Sequence, residues 1–382
     1  MAEVGVAVIG GGLMGRELAA ALGRWSTLQD SSVQPVLRAV CDTNPAALEW
    51  FRRVSSVELL TQNYKEVLDD PRIDVVYIAV PHHLHEQVYV DTIMAGKDFL
   101  GEKPFGIDLQ ASQAIVKNLD ARPSVFARVS SEMVFFPGAQ EAYKRVRDGD
   151  LGQLLEANVG LEHSSDLDRS KGINWKRQTQ FCGPGGVMAD LGMHALHLPV
   201  RLGWNPERLF AVLSNVVTER AGSDGSMVPC DTIDNASILA EVSAPSPFPL
   251  TVSMKRIAPG QSNTWRFFAT GMEGGVEFTT RHPATLRTFH MEKGKQYWRE
   301  EMTGSVSAFG THIPPLAEFG FSDAILQMWA AFFAEREGEL GDRFGCATPQ
   351  EAVLTHQIFT ASLASQENRS GALAAVSGSS AQ

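Results

Sequence analysis

The sequence has little that would take it to nucleic acid, to a membrane or out of the cell. Its 33 Lys and Arg are outnumbered by 44 Asp and Glu, for a formal charge of -11. Such a surface repels the phosphates of nucleic acids and of anionic lipids. No stretch approaches the roughly 18 apolar residues needed to cross a bilayer. Cysteine is scarce: Cys41, Cys182, Cys230 and Cys346 lie far apart and form no Cys-x-x-Cys pair. That pattern predicts reduced thiols rather than a disulfide framework. The first residues run directly into an apolar β-branched segment with no basic leader, so a soluble, cytoplasmic chain is expected.

What is present is ordinary globular composition over 382 residues, too many for one core, which predicts two domains. Val4–Ile9, Val36–Cys41, Asp74–Val80 and the segment opening at Phe99-Leu100 read as buried parallel strands. Leu13–Gly23, a segment after Asn44-Pro45, His85–Ala95 and Leu109–Leu119 read as the helices between them. This alternation predicts a doubly wound α/β (Rossmann) domain over residues 1–125. Beyond it, Leu155–Glu162, Leu209–Val217, Ala236–Val242, Leu250–Arg256 and Trp265–Thr270 predict a mainly antiparallel, open-faced sheet. With helices at Met328–Glu335 and Pro349–Ser365, an α+β domain is expected over 126–370, its last helices able to pack back on the first domain. The small, polar residues 371–382 read as a flexible tail.

Gly10-Gly11-Gly12-Leu13-Met14-Gly15 fits G-x-G-x-x-G between a strand and a helix. Gly10 permits the tight turn, Gly12 lets a pyrophosphate reach the backbone, and Gly15 allows close helix–strand packing. The N–H groups opened by Leu13 and Met14 and the positive end of the helix dipole face the phosphates. Asp42 ends the second strand, where a carboxylate accepts the adenosine ribose hydroxyls. Its alternative role is to cap the helix that follows. Thr43 and Asn44 follow it with no immediate Arg, favouring NAD over NADP.

Glu102-Lys103-Pro104 closes a strand at the carboxyl edge of the sheet, where doubly wound folds bind ligands. Far downstream, Asp190 and His194 are four apart on a helix and share a face, with His197 continuing the stripe. His194 has the pKa of a general base and Asp190 could orient it. Lys103 could polarise an alkoxide, or shuttle the proton if burial lowers its pKa.

Taken in order, the glycine loop, Pro81-x-x-x-His85, Glu102-Lys103-Pro104, Asn174-Trp175 and Asp190-x-Gly192-x-His194 resemble the motifs of the Gfo/Idh/MocA oxidoreductases. Asp148-Gly149-Asp150-Leu151-Gly152 extends the likeness as the turn entering the second domain. That family includes inositol dehydrogenases and glucose–fructose oxidoreductases. The resemblance implies that Lys103 lies beside the nicotinamide as catalytic residue, and that Asp190 and His194 contact substrate and serve in proton transfer. It places Pro81, His85, Glu102 and Trp175 along the cofactor, and it implies a homodimer or homotetramer built through the second-domain sheet. The chain departs from the pattern at His197, where the family often has Asp, and at Ser131–Phe136, which replaces an Asn-x-Arg segment.

Other signals are read as structural. His82-His83-Leu84-His85 has no acidic or Cys partner at ligand spacing, so no metal is expected. Cys182 has no neighbour marking a nucleophile. His163, Asp166 and Asp168 read as a solvated loop. The expected function is hydride transfer between NAD(P) and a hydroxyl or carbonyl carbon of a sugar, inositol or related polyol. The alternatives are a glycosidase or epimerase using NAD transiently without net turnover, and a non-catalytic protein on the same scaffold.

Overall fold

A computed structural model describes the chain except residues 244–245, 305, 313, 315–316, 369–373 and 376–382. The tail expected at 371–382 therefore falls outside the described residues, apart from 374–375.

Strands β1 (Ala2–Ile9), β2 (Val33–Cys41), β3 (Leu59–Thr61), β4 (Val75–Ile78), β5 (Asp98–Gly101) and β6 (Ala127–Val129) form one sheet in the order 3-2-1-4-5-6. Every pair is parallel, the order of a doubly wound dinucleotide fold. Helices α1 (Leu13–Gly23), α2 (Pro45–Glu49), α3 (Tyr64–Asp69), α4 (His85–Met94) and α5 (Leu109–Asp120) make the crossovers. Both faces of the sheet are covered, which is why β1 from Val4 onward and β4 are unbroken apolar runs rather than alternating ones. Pro35 is tolerated inside β2 because pairing with β3 begins only at Ala39.

The chain leaves this sheet through α6 (Pro137–Arg147) and enters β7 (Leu154–Glu162). Two helices follow, the short α7 (Thr179–Cys182) and the long α8 (Val187–Arg201). Then come β8 (Pro206–Ser214), a small hairpin of β9 (Glu219–Ala221) and β10 (Met227–Pro229), β11 (Asn235–Val242), β12 (Phe248–Lys255) and β13 (Thr264–Gly271). β14 (Gly275–Thr279), β15 (Thr285–Glu292) and β16 (Lys295–Met302) complete the run. With β17 (Ala374–Ala375), the second sheet has the order 16-15-14-13-7-12-11-8-17. It is antiparallel except where β7 pairs with β12. One face packs on α8, whose residues from Val187 to Val200 are all buried. The other face is open: cross-strand partners Phe268, Asn158, Thr251, Leu239 and Phe210 form a row across five strands, and Leu239 is exposed.

β14 to β16 escape the sequence reading, the last of them for a physical reason. β16, Lys-Gln-Tyr-Trp-Arg-Glu-Glu-Met, has no buried residue, so no alternation marks it. The last helices, α9 (Phe321–Arg336) and α10 (Pro349–Asn368), return to the first sheet. On α9, Trp329 meets Tyr77 of β4 and Phe333 meets Trp25, with ring centroids 5.3 and 5.4 Å apart. Asp323 pairs with Arg24 at the end of α1. One apolar core thus runs without interruption from β1 and α1 through α9 into the second sheet.

Candidate active site

The glycine loop is shaped for a bulky anion. Gly10 sits at φ 110, and a Cβ there would lie 2.4 Å from the Ala79 carbonyl oxygen. A Cβ on Gly15 would meet the Gly10 carbonyl at the same distance, so helix and strand approach as only glycine permits. Gly12 is the opposite case: a Cβ would find open space. Gly12 also begins α1 with no side-chain cap, so the first N–H groups of the helix, at Leu13 and Met14, point outward unsatisfied by the helix itself. Leu13 is 72% exposed. At the end of β2, Asp42 accepts from the Gly11 N–H through Oδ2 and from the Asn44 N–H through Oδ1, both at 2.8 Å. Asn44, not Asp42, caps α2, by accepting from the Ala46 N–H. A loop with open space over its middle glycine, beside a carboxylate with spare lone pairs, fits a dinucleotide.

Lys103 follows β5 directly. Its neighbour Glu102 is buried and pinned twice: Tyr77 donates to the carboxylate and Tyr89 to the backbone carbonyl, each at 2.6 Å. The Lys103–Pro104 bond is cis, and His356 of α10 meets the Pro104 carbonyl through Nε2 at 2.9 Å. Lys103 Nζ then reaches Oδ1 of Asp190, in the first turn of α8, at 3.0 Å. Lys176 Nζ reaches the same oxygen at 2.9 Å. Burial alone would raise the Asp190 carboxyl, but Lys176, Lys103 and Arg256 outweigh it and hold it well below the usual carboxylate range. Burial likewise works against the Lys103 ammonium, yet Asp190, Glu102 and Glu132 prevail and lift its pKa above the ordinary lysine value. The idea that burial lowers the Lys103 pKa is therefore corrected: its carboxylate neighbours win.

His194, one turn after Asp190, is buried. Burial, reinforced by Lys103, keeps its imidazole well below the ordinary histidine value, and hence neutral. Trp265 fixes this turn by donating from Nε1 to the His194 carbonyl at 2.7 Å. Nδ1 of His194 faces Oε2 of Glu132 at 3.6 Å. His197 is not part of this stripe. It points to Arg201, whose Nη2 lies 3.1 Å from its Nε2, and packs on Phe344.

These groups meet in a cleft of about 440 Å³ between the domains, lined by Leu13, Met14, Glu102 and Lys103 on one side and by Lys176, Asp190, His194 and Arg256 on the other. Two larger hollows, about 990 and 750 Å³, include neither the glycine loop nor the Lys103–Asp190 pair. His85 does not reach the cleft. It is fully buried, held through Nε2 by the Val80 carbonyl at 2.9 Å and stacked on Tyr89. It can support a cofactor site only from behind. Pro81 begins the turn that carries His82, whose ring meets Trp175 edge-on at 4.7 Å. His82 itself bonds the Cys182 carbonyl. Burial raises the Cys182 thiol to about 11, so no activated thiolate stands there.

Sequence reasoning missed part of the cleft. His163 and Asp166, read as solvated loop, line it, and Asp166 is buried among Arg177, Arg220 and Arg256. Only Asp168 is exposed, as that reading has it. Glu132 was visible only as a departure from a family segment, and Arg256 carried no local signal at all.

A 3-2-1-4-5-6 parallel sheet with its glycine loop opening on a titratable interdomain cleft defines a two-domain nicotinamide-dependent oxidoreductase. The comparisons agree. Residues 4–128 match the model of the oxidoreductase family with NAD-binding Rossmann fold, and residues 139–277 match the GFO/IDH/MocA C-terminal domain. The chain belongs to the Gfo/Idh/MocA oxidoreductase family, and its first domain is an NAD-binding domain. It is 24% identical to the levoglucosan dehydrogenase of Pseudarthrobacter phenanthrenivorans over 336 residues, 84% of this chain and 85% of that protein. It is 28% identical to the trans-1,2-dihydrobenzene-1,2-diol dehydrogenase of Mus musculus over 207 residues, 54% of this chain and 58% of that one. Among solved structures, a levoglucosan dehydrogenase complex with NADH superposes with a TM-score of 0.87 at 23% identity, over 98% of this chain and 99% of the other. Among the described residues, no helix is long and apolar enough to cross a membrane.

Proposed function

We propose that the protein is an NAD-dependent dehydrogenase of a sugar, inositol or related polyol, with Lys103, Asp190 and His194 as its catalytic residues. The observation that carries this reading is the meeting of Lys103 and Asp190 at 3.0 Å in the cleft that also opens on the glycine loop. NAD, when bound, supplies the acceptor for a hydride from the alcohol carbon. Gly10, Gly12, Leu13, Met14 and Gly15 hold its pyrophosphate, Asp42 its ribose, and Pro81, Glu102 and Trp175 border the rest. Lys103, kept charged by its carboxylates, donates to the substrate oxygen and stabilises the alkoxide character that develops there. His194, kept neutral, accepts the hydroxyl proton. Asp190 holds the lysine in place.

The polyol class rests on the dense set of donors and acceptors in the cleft, including His163, Asn174, Lys176 and Asn263, and on the named substrates of the relatives. The open row of Phe268, Leu239 and Phe210 supports a homodimer or homotetramer through the second sheet.

The experiment is incubation with NAD or NADP and a panel of inositols, aldoses and anhydrosugars, following nicotinamide absorbance and products together. Steady NADH formation is expected with at least one compound. Product without net NADH would replace this reading with transient oxidation, as in a glycosidase or epimerase. NAD binding with neither signal across the panel would overturn the polyol assignment.

A further inference from the structure

His194 is a poor resting place for a proton. Its imidazolium is disfavoured by burial and by Lys103, so a proton taken at His194 has to pass onward. Among the described residues, Glu132 is placed to receive it. Nδ1 of His194 and Oε2 of Glu132 are both buried, both lack a hydrogen-bond partner, and face each other at 3.6 Å. A buried polar atom left unpaired is destabilising, and pairing each with the other would relieve both. The gap exceeds a hydrogen bond, but contacts of this kind are often long in an unloaded site and close when it fills.

We propose that Glu132 is the terminus of the proton path, acting through His194. The hydroxyl proton passes to Nε2 while the Nδ1 proton passes to Oε2 of Glu132. This rests on the dehydrogenase reading above. The step balances. The O–H bonding pair becomes the second bond of the carbonyl, and the C–H pair leaves as hydride to bound NAD. His194 ends neutral with its proton on the other nitrogen, and Glu132 ends as the acid. Glu132 is thus a positioning residue, one that sets which nitrogen of His194 is bare.

The surroundings suit this role. Glu102, Lys103 and Tyr77 face the pair from the first domain, and Asp190, Lys176 and His197 from the second. Burial, with Glu102 nearby, raises the Glu132 carboxyl to about 7 while Lys103 opposes the shift. Below that pH Glu132 donates to Nδ1 and Nε2 carries a proton; above it Nδ1–H donates to Glu132 and Nε2 is a free base. The same pair thereby suits carbonyl reduction on the acid side and alcohol oxidation on the basic side.

The test is 15N NMR of the histidine-labelled protein, without substrate, alongside pH profiles of the NAD-loaded enzyme and of Glu132→Gln. The neutral His194 ring is expected to move its proton from Nε2 to Nδ1 as the pH rises through about 7. Glu132→Gln is expected to abolish that exchange, remove the matching acid limb of kcat, and lower kcat about 100-fold with KM little changed. An imidazolium signal, or a tautomer that ignores pH in the unaltered protein, overturns the proposal even if the variant does not fold. So does an acid limb unchanged in the variant. If no polyol is turned over, the dehydrogenase reading fails on its own, and the NMR titration still decides the role of Glu132.

Discussion

Lys103, just after a Rossmann strand, and Lys176, in a short 3-10 turn of the second domain, place their ammonium groups on the same oxygen of Asp190, at 3.0 and 2.9 Å. One carboxylate thus serves two cations, and the surplus charge faces the cleft. It also means that Asp190 stays paired when Lys103 is removed, so loss of Lys103 tests chemistry more than folding. Lys103→Ala is expected to lower kcat by roughly 10²–10⁴-fold while the Kd for NAD changes little. Near-normal turnover in steady-state assays would refute the catalytic role.

Asp42 ties the cofactor loop together as well as facing the ribose site, since its carboxylate holds the Gly11 and Asn44 N–H groups. Asp42→Ala is expected to weaken NAD binding by about 1.5–3 kcal/mol, the worth of hydrogen bonds to a charged group, and to shift preference toward NADP. Isothermal titration with both cofactors measures the ratio. An unchanged NAD:NADP ratio would reduce Asp42 to a loop anchor.

Glu351 gives a stability prediction with a definite sign. Burial would raise its carboxyl, but Arg201, which donates to both oxygens, and the Thr348 N–H pull it from the ordinary 4.5 to about 2. A carboxyl depressed in the folded state stabilises above its unfolded value and loses that contribution as pH falls from 4.5 toward 2. The shift corresponds to about 3 kcal/mol. Glu351→Gln is therefore expected to be less stable at neutral pH by a similar amount, the gap narrowing steadily in acid. Urea melts across that range check it; a gap independent of pH would contradict the ion-pair account.

These residues also show what a sequence can disclose. The first domain was legible because four of its strands and its glycine turn are local signals: Val4–Ile9, the six residues after it, and Asp42 lie in one short stretch. β3 and β6, three residues each, were too short to leave one. Lys103, Asp190 and His194 were legible as motifs, although their meeting was not. Glu132 and Arg256 were invisible because their meaning lies entirely in what the fold brings near them. His85 and His197 misled for the complementary reason: each belongs to a motif-bearing segment, yet packing turns its ring toward Val80 and Arg201 respectively. The strand β16, with no buried residue, lacked any burial pattern to read.

The open sheet face makes a prediction independent of the cleft. Leu239 lies in the cross-strand row between Thr251 and Phe210 and is exposed among the described residues. If this face joins copies of the chain, Leu239→Asp is expected to yield monomers in sedimentation velocity while the unaltered protein sediments as a dimer or tetramer. The same oligomer in both would assign the contact to another surface.

The bond between His356 and the Pro104 carbonyl has a consequence for how the molecule is made. The turn bearing Lys103 is braced by a helix more than 250 residues downstream, and α9 supplies part of the wall beneath the first sheet. During synthesis the first domain emerges early but waits for its own buttress until nearly the whole chain has left the ribosome. A premature stop after β16 would therefore damage the cofactor domain, although every strand of that domain had already been translated.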